Sequence, residues 1–487
     1  MKGAPAARVD GTPTGTTPDG PPDYRAVSFW LESCGDDLTP RPPLDGDVRA
    51  DVAVLGAGYT GLWTAYELQR REPGLRIVLV ERDIAGFGAS GRNGGWCTPD
   101  LNISLSMLAH RFGTVAAKAT QQATYEAVDE IGRVCRDEGL DGGYVRGGAL
   151  HVARGPHQLP DLQASYESYV RFGFGERYQL LDGPTARSLV DIEGTVAGLA
   201  TPDCAVVHPG RLVRNLARLV ESRGATIFER SAVTGFAGRG SDSAGPAPAV
   251  LHTAHGDVHA DTIVLAGEAY LTGLRPLHRQ LIPVYSLIVL TEPLTEGQWA
   301  AIGWQARQCV SSYRLSIDYL SRTEDGRVLF GGRGAPYHLG SRIKPRYDRH
   351  GPTHEMLQAM LRAWFPVLRE VRFTHAWGGP LGMPRDWMPA ITHDAATGVA
   401  SARGYIGHGV AATNIAGRAL ADLITGRTSS LTELPLVGHH ARDWEPEPLR
   451  WLGVRYAQRA FAGIDARAER TGHPPGGPSL ARWLGRH

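Results

Sequence analysis

The string Gly56-Ala57-Gly58-Tyr59-Thr60-Gly61 has the spacing G-x-G-x-x-G, which brings a main chain up to a pyrophosphate. The first glycine permits a tight strand-to-helix turn, the second admits the anion, and the third lets helix and strand pack closely. Phosphate oxygens then meet the free N–H groups and the dipole of a helix N-terminus. Further on stand Glu81 and Arg82. The acid has the spacing to accept from a ribose hydroxyl, and it disfavours a ribose 2′-phosphate. A second run, Gly86-Phe87-Gly88-Ala89-Ser90-Gly91-Arg92-Asn93-Gly94-Gly95, is costly as a mere linker because glycine loses the most backbone freedom on ordering. It suits amides laid against a flat ring and a diphosphate, with Ser90, Arg92 and Asn93 adding side-chain hydrogen bonds. A flexible surface loop is the alternative.

These residues need a frame. An apolar run at 51–55, a helix over about 60–71 ended by Pro73-Gly74, and a second apolar run at 76–81 form one βαβ unit. Ordered core is expected to begin at Asp51, after a Pro/Asp/Gly connector over 40–49, with residues 1–22 disordered and Trp30 and Leu31 in a short docking turn. Residues 105–200 mix helices and strands, including a helix over 116–137 and a strand over 147–153. A helix over 209–223 leads into strands to about 266. Residues 280–335 are strand-rich, best at 283–291 and 328–332, and a helix covers 353–364. Residues 404–409 are expected as a strand entering a glycine-rich turn, with a helix over 413–424. In the tail, Leu449, Leu452, Tyr456, Phe461 and Ile464 fall roughly on one face; packing on the body with arginines in water is favoured over a membrane-surface helix.

Composition narrows the class. The chain has 487 residues with 42% hydrophobic and 21% charged residues, ordinary for a globular protein. A formal net charge of +1 gives no support for a nucleic-acid partner. Five scattered cysteines, Cys34, Cys97, Cys135, Cys204 and Cys309, fit a reducing compartment better than a disulfide framework. No C-x-x-C or H-E-x-x-H occurs, so no dedicated metal site is expected. Without a signal-peptide core or a membrane-length apolar run, the expected location is cytoplasmic, with no stable membrane insertion.

With the two glycine motifs and Glu81, the stretches at 208–212, 282–294 and 404–417 resemble FAD-dependent oxidoreductases of the glycine oxidase/D-amino acid oxidase family. The similarity is greatest to the bacterial γ-glutamylputrescine oxidase branch and runs from about Trp30 to Gly426. The resemblance implies an α/β fold: a Rossmann-type FAD-binding domain interleaved with a strand-rich α+β substrate domain. The expected division is a disordered leader and docking segment over 1–49, FAD-binding parts over 50–105, 205–278 and 391–430, substrate parts over 106–204 and 279–390, and a helical extension over 431–487. It also implies a backbone contact to adenine near Val233, a strand end at Ala266-Gly267 beside the cofactor, and a turn, Gly407-His408-Gly409-Val410-Ala411-Ala412-Thr413, at the flavin edge. Negative charge developing there is stabilised by a helix N-terminus. Cys97, after the glycine loop, is read as an inert thiol rather than a covalent flavin link.

The chemistry implied is oxidation of a neutral amine at the carbon beside nitrogen, giving an imine that hydrolyses, with reoxidation by molecular oxygen. Candidate catalytic or orienting residues are Tyr285, Arg333, Trp377 and His408, with Tyr313, Tyr319 and Tyr337 in the middle segment; each has core packing as its alternative. No unique carboxylate-binding arginine stands out, which favours an amine or a modified amino acid. Other readings are transfer to a quinone or other carrier, a tailoring oxidase of a larger metabolite, a non-catalytic flavin-binding regulator and, more weakly, a nicotinamide dehydrogenase.

Overall fold

The computed structural model describes residues 22–242 and 245–475. The expectation of disorder over 1–22 therefore falls almost wholly outside the described residues. Two eight-stranded sheets carry the fold. In the first, the order along the sheet is Ala390–Asp394, Val399–Arg403, Gly256–Leu265, Val48–Leu55, Ile77–Val80 and Thr226–Phe228. All but the first of these pair in parallel. Val52, Ala53 and Val54 are fully enclosed, as a strand with parallel neighbours on both sides requires. Leu55 stands level with Val80 and Leu265, so the carboxyl ends of three parallel strands reach one edge together. In open α/β sheets ligands bind at that edge.

The second sheet runs Phe373–Met383, Ile282–Thr291, Val328–Arg333, Asp318–Arg322, Cys309–Ser312, Ala149–Arg154, Thr195–Thr201, Gln179–Asp182. Its strands come from chain segments lying between those of the first sheet, giving the interleaved α/β architecture. One face is apolar: Leu150, Val152, Leu287, Val289, Leu320 and Phe330 pack with Leu357, Leu361 and Trp364 of the helix Gly351–Trp364. Period-two alternation sends the neighbouring residues to the other face.

Three expectations are corrected. Order begins well before Asp51. Tyr24, Leu38 and Leu44 are buried, and Arg41 in the connector bridges Glu221 at 2.5 Å and fully buried Glu229 at 2.8 Å. A proline-rich polar stretch looks loose in sequence, but here its cation pairs with two carboxylates. Secondly, residues 404–409 are not a strand. The strand is Val399–Arg403, and Gly404, Ile406 and Gly407 all have positive φ, which no strand tolerates. The following helix starts at Gly409, earlier than expected. Thirdly, the C-terminal helix Leu449–Thr471 turns a different face inward. Trp451 and Val454 pack on Ile282, Val284 and Tyr337, and Arg450 is buried against Glu447, while Leu449, Leu452 and Tyr456 are 63%, 54% and 48% exposed.

Candidate functional site: a dinucleotide cleft beside a polar sheet face

At the carboxyl edge of the first sheet lies a cleft whose empty volume, open mouth included, is about 1490 Å³. The glycine turn forms its floor. Gly56 has φ +99°, and a Cβ there would stand 2.9 Å from Ala266 O; a Cβ on Gly61 would stand 2.0 Å from Gly56 O. The helix Tyr59–Arg71 can leave the strand at this angle only with hydrogen at both positions.

Two helices begin at the cleft, Tyr59–Arg71 and Gly409–Ile424. They cross closely, a Cβ on Gly417 standing 2.6 Å from that of Trp63. Neither N-cap, Gly58 or His408, makes a side-chain cap, and neither first turn holds an acid. Tyr59 N–H donates to Ser90 Oγ at 2.9 Å, and the other first-turn amides and the positive dipole ends remain for an anionic ligand. One lies at the strand edge, where a diphosphate belongs; the other follows the Gly407 turn, suiting the electron-rich edge of a ring.

Among the expected cofactor residues, Gly56, Gly58, Tyr59, Thr60, Glu81 and Arg82 line this cleft. So do Ala89, Ser90 and Asn93 of the glycine loop, Val233, Ala266 and Gly267 of the strand ends, and Gly407, Gly409, Val410 and Thr413 of the second helix start. Ala57, Gly61, Gly91, Gly94, Gly95, Ala411 and Ala412 are not in its walls. Ala57 instead donates its N–H to Glu81 Oε2 at 3.0 Å. Arg92 is not in the walls either. Its guanidinium is taken by Asp348 at 2.5 Å, Phe87 O at 2.7 Å and Gly378 O at 3.3 Å.

The glycine loop is held rigid by a device that sequence reading missed. Four consecutive carbonyls each accept from a distant side chain: Gly91 O from Ser28 Oγ at 2.7 Å, Arg92 O from Trp377 Nε1 at 2.9 Å, Asn93 O from Trp30 Nε1 at 2.7 Å, and Gly94 O from Ser321 Oγ at 2.6 Å. With its carbonyls fixed outward the loop needs no conformational search to meet a ring. Trp377, expected near the substrate, is thus a buried clamp. Glu268 and Tyr270 are further wall residues with no motif to announce them.

The register of the second sheet decides the remaining candidates. Ser286 pairs with Arg333, and Tyr319 pairs with Gly331, itself level with Ile288. Ser286, Arg333 and Tyr319 therefore share one face, and Ser286 Oγ lies 3.0 Å from Tyr319 OH. On the next two strands, Ser311 pairs with His151, and its Oγ lies 2.7 Å from His151 Nδ1. A row of polar side chains thus crosses the sheet toward the glycine loop, where a Cβ on Gly94 would meet the Tyr319 ring at 2.5 Å. Tyr285 points the opposite way, into the apolar core, edge-on to His338 and Tyr347. Tyr337 is also remote, its hydroxyl bound to Glu447 at 2.8 Å.

Arg333 sits deep in the molecule but keeps some contact with solvent, as a side chain lining a crevice does. Nη2 donates to Ile406 O at 3.0 Å, and among the described residues no carboxylate pairs with it. Burial lowers its pKa to about 10. His408, at the helix start, has Nδ1 without a partner among the described residues. Burial, the largest influence, lowers its pKa, so it is neutral at pH 7. Burial raises the Tyr319 hydroxyl to about 12 and keeps the fully buried Cys97 protonated, which disfavours a covalent role for that thiol.

Glu81 and Glu268 are both pushed up to about 7, chiefly by burial. Glu268 Oε1 accepts from Gly404 N at 3.2 Å and Tyr405 N at 3.0 Å, pinning the turn that leads to Gly407, while Oε2 has no partner among the described residues. A carboxyl raised on folding stabilises fully below its unfolded value of about 4.5 and loses that contribution as pH rises through about 7. In cofactor-free protein the wild type should therefore lose thermal stability relative to Glu268→Gln between pH 5 and 8. A constant difference in melting temperature across that range would remove this assignment.

The cleft thus fits a dinucleotide carrying a flat, electron-accepting ring: two uncapped helix starts, an acid at the second strand end and a clamped glycine loop. The comparisons agree. Residues 51–423 match the family model for FAD-dependent oxidoreductases of the DAO type. The chain is 30% identical to γ-glutamylputrescine oxidoreductase of Escherichia coli over 84% of its own length and 92% of that protein's. It is 26% identical to glycine oxidase of Pseudomonas aeruginosa over 79% and 97%. Among solved structures it is similar to L-proline dehydrogenase of P. horikoshii, with a TM-score of 0.65, 20% identity and coverage of 81% and 96%. Glycine oxidase of Geobacillus kaustophilus gives 0.64, 21%, 80% and 98%. The chain therefore belongs to the DAO family of FAD-dependent oxidoreductases, and FAD is its cofactor.

Proposed function

We propose that the protein oxidises a C–N bond of an amine or amino-acid derivative of the γ-glutamylputrescine type to an imine, which water hydrolyses. The polar row of the second sheet, which includes the unpaired Arg333 beside the Gly407 turn, carries this reading. When bound, FAD would supply the two-electron acceptor, with molecular oxygen as the reoxidant. The substrate carbon gives up a hydride and its nitrogen a proton, so electrons and atoms balance as a C=N bond forms.

The protein's own groups bind, orient and handle protons. Arg333 can take a substrate carboxylate in a two-pronged pair, replacing the counter-ion it lacks. Ser286 and Tyr319 form a hydrogen-bonding wall. Neutral His408 offers Nδ1 to accept the proton that a substrate ammonium must shed before its carbon can react. The clamped loop and sheet face restrict the reacting carbon to one approach, so most of the rate enhancement comes from orientation.

The test is an anaerobic absorbance titration of the flavin-loaded protein with γ-glutamylputrescine. Bleaching of the oxidised flavin band is expected, followed by hydrogen peroxide on admission of air. A band that stays oxidised with excess γ-glutamylputrescine, putrescine, sarcosine and glycine would reject the reading.

A further inference from the structure

A second cavity, whose empty volume with its open mouth is about 960 Å³, opens between the helices Leu105–Phe112, Thr114–Asp137 and Leu159–Arg171. Asp100, Asp161, Thr120, Gln121, Tyr169 and Tyr313 lie in its wall. It adjoins the polar row: the Tyr313 ring is 6.5 Å from that of His151. The loop that carries Asp100 also meets Arg333. Asn102 Nδ2 donates to Ile406 O at 3.0 Å, the same carbonyl that accepts from Arg333 Nη2.

The loop of Asp100 and the Arg333 guanidinium thus meet at one carbonyl, through Asn102, and among the described residues neither charge has an ion-pair partner. Asp100 is bound only by hydroxyls, Thr98 Oγ1 at 2.6 Å and Tyr169 OH at 3.3 Å. Among the described residues neither Asp100 nor Asp161 has a basic partner. Burial raises the hydroxyl pKa of Tyr169 and Tyr313, and the nearby Asp100 carboxylate adds to it. Tyr169 is held by stacking on Tyr178, with ring centroids 3.7 Å apart, so its hydroxyl and ring face are preset. Asp161, in the first turn of its helix, has a role at the helix dipole already. Asp100 has none.

An acid without a basic partner in the wall of a cavity that adjoins the polar row offers a cationic group a charge-assisted hydrogen bond. We propose that this cavity is a subsite for a remote cationic nitrogen of the substrate, so that the substrate carries a carboxylate for Arg333 and a second ammonium for Asp100. The proposal rests on the amine-oxidation reading and narrows it. Substrates are carboxylate-bearing diamines, such as basic amino acids and amino-acid conjugates of diamines. Simple amino acids and plain diamines fill only one end. Tyr169 and Tyr313 add aromatic faces that favour a cation over a neutral chain end.

Dissociation constants read from the rapid perturbation of the oxidised flavin spectrum, before the band bleaches, test this apart from turnover. The probes are matched pairs differing by one ammonium: γ-glutamylputrescine against γ-glutamyl-n-butylamide, and lysine against norleucine. At least one ammonium-bearing member should bind about tenfold more tightly than its partner. Asp100→Asn, or the rim variant Asp161→Asn where the first does not hold flavin, should reduce that ratio to about threefold or less. Equal binding within both pairs, or a ratio untouched in Asp100→Asn, would overturn the proposal. Tight ammonium-selective binding with no bleaching would sink the oxidation reading alone, whereas bleaching without selectivity would sink the subsite alone.

Discussion

Gly61→Ala should yield a protein that holds no flavin. A Cβ at this position would stand 2.0 Å from Gly56 O and 3.0 Å from a Val54 methyl. Carbon and oxygen do not approach within about 3 Å, so the helix Tyr59–Arg71 must shift by about 1 Å or the turn must open. Overpacking of this kind costs about 1–3 kcal/mol in an adaptable core. Here the obstacle is backbone, and the shift moves the first-turn amides of the uncapped helix away from the diphosphate. Flavin affinity should fall by at least about a hundredfold, which is about 2.7 kcal/mol. Flavin absorbance per mole of purified protein measures it, with circular dichroism to confirm that the chain has folded. A yellow Gly61→Ala protein would mean that the glycine turn is not where the cofactor is held.

Arg92→Met should destabilise the protein by about 3–5 kcal/mol, the usual cost of removing one partner of an enclosed ion pair. Asp348 would be left facing the glycine loop with no cation, its carboxyl already raised by burial and held down chiefly by Arg92. The carbonyls of Phe87 and Gly378 would lose their donor as well. Since Arg92 ties this loop to the strand Phe373–Met383, flavin should also dissociate faster. The double variant Arg92→Met/Asp348→Leu removes both charges and should recover much of the loss. Chemical denaturation of the three proteins decides this, and a double variant no more stable than Arg92→Met would show that the carboxylate is not the source of the cost.

Arg92 also shows how far sequence reading reaches. Its place in a glycine-rich loop made it a reasonable cofactor ligand, and nothing nearby in the chain revealed Asp348, 256 positions away. Trp377 and Tyr285 have the same history. Each is an aromatic residue in a segment near the substrate side. Whether such a side chain faces cofactor, substrate or core depends on strand register, and a shift of one residue reverses the answer. The strand misplaced over 404–409 was a local error of another kind: two glycines and an isoleucine at positive φ form a turn there, and an apolar run with aromatic character reads equally well as a strand.

What the sequence by itself determined was the local chemistry: a βαβ unit with a dinucleotide turn, an acid at the end of its second strand, a glycine-rich loop, and by resemblance a flavin family and an interleaved α/β fold. These are legible because they depend on residues a few positions apart, where steric demand and hydrogen-bonding capacity act directly. Only the tertiary structure decided the rest. It set four side-chain donors on consecutive carbonyls of the loop, lined up Ser286, Arg333, Tyr319, Ser311 and His151 across the sheet, and left Arg333 without a carboxylate partner among the described residues. The physical reason is that charge pairing and side-chain direction depend on distance in space, and segments far apart in the chain meet only when packing fixes the register between them.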